Sequence, residues 1–447
     1  FEGSMKSEET QLSASEFREL LSLLEQPISG LDENERMALY SIVQGTQSVV
    51  EQATSVDAYG LRALTALPLL PGYTDTVEGS GREILPPMLW AHFSESQEAL
   101  LSKLQAACSN RMTWRFACAS GVFFWVRSSE RLHSLLEQVA RTAYAESDSN
   151  PVLATLLYLA LRKPSMVQTL WKRAIGHADR EKMVNFLSMD FSEERWRVAA
   201  QKNAFVLMSQ RRFDLAAAFF LLGGSLRDTV NVCVRNLKDV QLAIAVARAY
   251  GGDSDPVFQG LLSRQVVPLA LEKGDRWLGW WALSMLEEHA DMLHMVSKPL
   301  FQLAQDATFQ EKYGHAQVER GCDSTFQPEL VLLVDHAKAQ PWFASTGDAL
   351  PQATETRLVA FAARVLDDLG CGMVSMALLS NWSFARALTV QPTAQPAPKQ
   401  PEDHGDSSAA APTEAGPPKK IGSLLHAERK PASSQGAMEF DMSSFGF

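Results

Sequence analysis

Glu287, Glu288, His289 and His294 crowd two carboxylates and two imidazoles into a short stretch of this 447-residue chain. Residues of those types hold zinc when helical spacing brings them to one face, as in H-E-x-x-H or H-x-x-E-H. The order here fits neither, so a solvated helix face is the expectation. Trp277, Trp280 and Trp281, after Asp275-Arg276, suggest an aromatic cage or a base-stacking platform. Their recurrence with Ser284 and Met285 at helical spacing instead predicts packing between helices. Cys108, Cys118, Cys233, Cys322 and Cys371 are odd in number and never spaced as C-x-x-C, which points away from a zinc knuckle or a disulfide framework. Cys233 falls on an apolar helix face and reads as a small buried thiol. The sequence has no G-x-x-x-x-G-K-[ST] loop, no strand-linked G-x-G-x-x-G and no G-x-S-x-G elbow. The residues predict no enzyme and no cofactor.

Composition narrows the class further. A hydrophobic share of 46% is ample for a core, and a net charge of -11 argues against nucleic acid, whose phosphates need clustered Lys and Arg. The longest apolar run, Leu215–Gly224, is too short to span a bilayer, which takes about 20 residues. No basic-then-apolar leader opens the chain. The expected setting is a reduced cytoplasm, with no direct membrane span. The first residue is Phe1, and Gly3-Ser4-Met5 reads as a cloning remnant, so a piece of a longer or processed protein is expected.

The elements that would position any site are clearest from Phe191 to Gly252, which reads as four short helices with a start or stop signal at each junction. Ser192 is placed to cap the first, whose inward face is Trp196, Ala199, Ala200, Asn203, Ala204 and Leu207. A second runs from about Phe213 to Gly223-Gly224, where glycine accepts a left-handed cap. Ser225 opens a third, with Leu226, Val230, Cys233 and Val234 on one face, and Asp239 opens a fourth, ending at Gly251-Gly252. Asn203 reads either as a buried hydrogen-bonding residue or as one turned outward, and in neither case as catalytic. Helices this short are marginal alone and must stack on neighbours, the signature of an α-solenoid. Trp196, Phe219, Phe220, Gly223 and Gly224 are the expected structural residues of this block.

The whole chain reads as all-α, an α-solenoid of stacked helical hairpins followed by a disordered Pro/Ala/Ser-rich C-terminal tail. Residues 1–68 form a helical segment with a flexible start, with helices at Glu16–Leu24 and Asp32–Val50 around a Pro27–Gly30 break. A loop follows over 69–87, then the solenoid over 88–390. Three helices are expected from Pro87 to Ala145. Asn150-Pro151 and Pro164 start two more, the second with the face Val167, Leu170, Trp171 and Ala174. Later helices are expected at Leu261–Leu271, Arg276–Leu286, Glu329–Ala337, Thr356–Leu369 and Cys371–Leu388.

From about Gln391 the composition shifts, and eight of the 21 prolines fall between Pro392 and Pro431. Such a segment buries too little apolar area to offset its ordering entropy. Two islands interrupt it. Ile421, Leu424 and Leu425 stand at i, i+3, i+4, compatible with a short helix formed on a partner. Phe440, Met442, Phe445 and Phe447 suggest a docking peptide.

The run from Leu157 to Tyr250 resembles the C-terminal helical domain of the RAVE-complex large subunit, the DmX-like or rabconnectin α family. The matching residues are Leu157-Tyr158-Leu159-Ala160, Glu181-Lys182-Met183, Arg195-Trp196-Arg197, Ala200 to Phe205, Ala216 to Leu226 and Asp239 to Ala243. Weaker matches at Tyr59 to Arg62, Trp90 to Phe93 and Trp280 to Leu286 extend it over about Asp57 to Leu388. The resemblance implies a non-enzymatic scaffold subunit that binds the detached cytosolic sector of the vacuolar-type proton ATPase and promotes its rejoining with the membrane sector. Its implied partners are peripheral-sector subunits and other RAVE-like subunits, and its implied location is cytoplasmic, recruited peripherally to vacuolar and endosomal membranes. Family members also carry WD-repeat propellers ahead of this region, which these residues do not include. The other reading kept open is a vesicle-coat or tethering scaffold of the same architecture.

Overall fold

Two reciprocal caps set the first helices of the computed structural model, which describes residues 13–69, 86–147, 150–318 and 327–384. The Ser13 hydroxyl accepts from the Glu16 amide at 3.3 Å while Glu16 accepts from the Ser13 amide at 2.6 Å, starting Ala14–Leu24. Asp32 and Glu35 repeat the arrangement at the head of Glu33–Gln52. All regular structure among the described residues is helical, and successive helices pair as stacked hairpins.

The central block shows how local signals fix the stack. Helix Phe213–Leu222 ends at Gly223, and Gly224 takes the left-handed turn at φ +79°. Asp239 caps Val240–Tyr250 by accepting from the Leu242 amide at 2.9 Å. Leu215 through Leu221 are all buried, so Phe213–Leu222 is a central helix with neighbours on every side. Val152–Ala160, Glu194–Ser209 and Leu226–Arg235 supply those neighbours.

Several local expectations differ in the structure. Ser192 does not cap the next helix: its amide donates to Asp190 Oδ1 at 2.9 Å in a turn, and the helix begins at Glu194. Trp196 stands in the first turn, only half-buried beneath the Arg195 guanidinium, and so lies outside the core. Val234 is half-buried where Val232 is buried. Pro87 to Ala145 holds more than three helices, because left-handed Gly121 divides the aromatic run into Trp114–Ser120 and Val122–Trp125. Leu261–Leu271 is interrupted by a π-helical turn over Leu262–Val266. The last described helix, Gly372–Asn381, ends at Trp382, and Leu388 lies outside the described residues. The Trp382 indole donates to Glu355 at 3.0 Å and Lys338 lies 3.8 Å over its ring, which turns the chain away from the helix axis.

The hairpin stack is crossed by ties between segments remote in sequence. The Trp281 indole donates to the Phe124 carbonyl at 3.0 Å, and the two rings meet edge to face at 4.8 Å. Buried Arg248 donates to the carbonyls of Phe123, Phe124 and Val126 at 2.7, 3.2 and 2.9 Å while Asp253 pairs with its guanidinium. A buried charge is tolerated only when partnered in this way. Trp90 packs on Trp277 at 4.9 Å, and the Arg62 guanidinium lies 3.6 Å over the Trp90 ring. These contacts tie the described N-terminal helices to the later hairpins, beyond the nearest-neighbour contacts of a linear repeat array.

Candidate interaction surfaces

The cluster around His289 is organised by a residue the spacing did not single out. Asp291, 8% exposed, accepts from Tyr313 at 2.8 Å and Lys312 at 3.0 Å, with His294 at 3.4 Å. Burial pushes its carboxyl up, but the hydrogen bonds from His294, Lys312 and Tyr313 outweigh that and hold it at about 2. Glu288 pairs with Lys312 at 3.1 Å, and His289 stacks on Trp342 at 4.5 Å. The expected solvated face is therefore partly a packed ion-pair junction, because Lys312 and Tyr313 return from another helix to cover it. Among the described residues no group of three or more His, Cys, Asp or Glu is placed to hold a metal.

Trp277, Trp280 and Trp281 are all buried, so their rings are closed to a ligand. Cys233 is buried and its thiol is pushed up by that burial. Asn203 is buried with its Nδ2 unpartnered. Phe219 and Phe220 are buried, the former stacked on Phe186 at 5.3 Å and the latter meeting Phe205 edge to face at 5.0 Å. A cleft of about 560 Å³ opens between Trp114, Glu146, Leu153 and Asp214. Burial raises the Asp214 carboxyl there, while the Trp114 indole donates outside the cleft to Asp239 at 3.3 Å.

Among the described residues, exposed apolar side chains gather on the first helical hairpin, on Glu194–Ser209 and at the last described helix. On Glu194–Ser209, Val198, Phe205 and Val206 are exposed, Phe205 by 63%. At the end of the stack, Leu369, Met373, Met376 and Leu379 are exposed around a helix without a charged residue. The sequence carried a trace of the face on Glu194–Ser209: Val198 and Phe205 fall opposite Ala200, Ala204 and Leu207 at 100° per residue. Leu424, Leu425, Phe440, Met442, Phe445 and Phe447 lie outside the described residues. No described helix is long and apolar enough to cross a membrane.

Comparison with known proteins gives this arrangement a lineage. The sequence profile of the family described as RAVE protein 1 C terminal matches residues 2–378. The regulator of V-ATPase in vacuolar membrane protein 1 of Schizosaccharomyces pombe is 32% identical over 318 residues, covering 67% of this chain and 24% of that protein. Its namesake in Saccharomyces cerevisiae is 30% identical over 362 residues, 79% of this chain and 26% of its own length. Mouse DmX-like protein 1 is 33% identical over 263 residues, 55% of this chain and 9% of its own. The chain thus spans about a quarter of the length of the two yeast relatives. With a matched profile running through nearly all of the helical stack, the chain belongs to the RAVE protein 1 C-terminal family.

Proposed function

We propose that the chain is the helical part of a non-enzymatic scaffold that promotes assembly of the vacuolar-type proton ATPase. In this role it binds the detached cytosolic sector for rejoining with the membrane sector. The observation that carries the reading is family membership over residues 2–378, with yeast relatives named as regulators of the V-ATPase in the vacuolar membrane. Stacked hairpins with open apolar faces suit that role, since such arrays present extended surfaces able to touch several subunits. Its partners are peripheral-sector subunits and other RAVE-like subunits, and it works in the cytoplasm, recruited peripherally to vacuolar or endosomal membranes. The C-terminal Phe440, Met442, Phe445 and Phe447 act as a tethered docking peptide that adds avidity.

The test is capture of the purified peripheral sector by the immobilised chain. Saturable binding of that sector is expected. Failure to bind it, with recovery of coat or tether subunits from cytosol instead, would overturn the reading in favour of a trafficking scaffold.

A further inference from the structure

We infer that the outward face of helix Glu194–Ser209 seats an amphipathic helix of a partner whose apolar stripe is flanked by carboxylates. The helix turns Ala200, Asn203, Ala204 and Leu207 into the core, and its principal neighbour is Phe213–Leu222. On the opposite face stand Val198, Lys202 and Phe205, with Val206 beside them. Val198 and Phe205 are two turns apart, about 10.5 Å at 1.5 Å per residue, which matches apolar side chains at i and i+7 on a second helix.

Phe205 is exposed yet not loose. Its ring stands edge-on to Phe220 at 5.0 Å and 86°, and Phe220 is itself buried. A side chain already fixed in one orientation loses little entropy on docking, which favours it as an anchor.

Charge decides the partner's chemistry. In a chain of net charge -11, the stretch from Arg195 to Arg212 carries five bases and no acid. Arg195 pairs with Glu193 and Arg212 with Asp179, whereas Arg197, Lys202 and Arg211 are exposed without an ion pair among the described residues. Carboxylates on the partner would meet Lys202 beside the apolar contact, with Arg211 just beyond the end of the helix. Glu193 and Glu194 lie at the other end and suit a basic residue there, which sets the partner's direction. An anionic bilayer fits less well, because these acids face it and the apolar groups lie along a rigid helix rather than at a protruding loop.

The inference rests on the proposed ATPase role for the identity of the partner, and the experiment separates the two. Phe205 is replaced by p-benzoylphenylalanine, and the chain is mixed with purified peripheral sector and irradiated. Affinity for the sector is measured in parallel for the wild-type chain, Lys202→Glu and Phe205→Asp. The expected result is a crosslink to an acidic, apolar-striped helical segment and binding weakened about tenfold or more in both variants. Lys202→Glu should keep the wild-type melting temperature. If the sector binds both variants at full strength and no crosslink forms, the docking face is wrong and the assembly role stands. Crosslinking to a segment without acids also overturns it, as does wild-type binding to phosphatidylcholine–phosphatidylserine vesicles in place of the sector. If the wild-type chain binds no sector at all, both readings fall.

Discussion

The Tyr59 hydroxyl donates to the Leu332 carbonyl at 3.1 Å across 273 residues of sequence. Around this bond the Tyr59 ring meets His336 edge to face at 5.4 Å, and Phe93 packs against both. The contact anchors the helix Ala58–Ala66 to Leu330–Lys338. Tyr59→Phe keeps the ring and removes the hydroxyl, so it should cost about 0.5–1.5 kcal/mol in denaturant unfolding. An unchanged midpoint would show that the bond adds nothing to the seam.

Phe219 and Phe220 are buried on a helix with close neighbours, and truncation of either leaves a cavity. Phe219→Ala and Phe220→Ala should each cost about 3–5 kcal/mol. Phe205→Ala, on the open face, should cost far less. Melting curves shifted by less than a degree for both buried variants would contradict the packing.

Neighbouring glycines should fail for different reasons. Gly224 has φ +79°, so Gly224→Val forces a β-branched residue into a left-handed conformation at a cost of about 1–2 kcal/mol. Gly223 has ordinary φ, but a Cβ there would lie 2.7 Å from Gln201 Cγ and 3.0 Å from the Arg197 carbonyl oxygen. Asparagine, which accepts the left-handed region, should therefore be tolerated better at 224 than at 223. Equal stabilities of Gly224→Asn and Gly223→Asn would contradict this division.

Acid should weaken the fold through His92. Burial, reinforced by Arg248 and Arg127, holds its imidazole at about 3, against 6.5 ordinarily. Between those values the unfolded chain binds a proton that the folded chain excludes. The contribution is intact above pH 6.5 and is lost as pH falls towards 3, by about 1.4 kcal/mol per unit. Urea midpoints measured across this range should fall less steeply for His92→Gln than for the wild type. Parallel pH profiles would remove His92 as the cause.

Deletion of Glu439 to Phe447 tests the tail. The melting temperature of the helical stack should be unchanged, while capture of the ATPase sector or a companion subunit weakens. A lowered melting temperature would mean that the tail supports its own chain, and the docking role would fail.

Much of the helical grammar was legible because it is local. Asp239 caps with a side chain that reaches only to Leu242, and Gly224 turns because it lacks a Cβ. The tryptophans at 277, 280 and 281 announced their burial through spacing alone. Family membership was likewise readable from runs such as Ala216 to Leu226, since it depends on residue identity and not on contacts. What tertiary structure alone decided is which faces meet. Nothing near Trp281 in sequence points to the Phe124 carbonyl, and nothing near Arg248 names the three carbonyls it joins. Asp291 is buried because Lys312 and Tyr313 come back to it from another helix. Phe220 faces inward and Phe205 outward although both are phenylalanines in apolar helical runs. Periodicity divides a helix into faces, but which face is covered depends on long-range packing, and the physical chemistry of neighbouring residues carries no record of that partner.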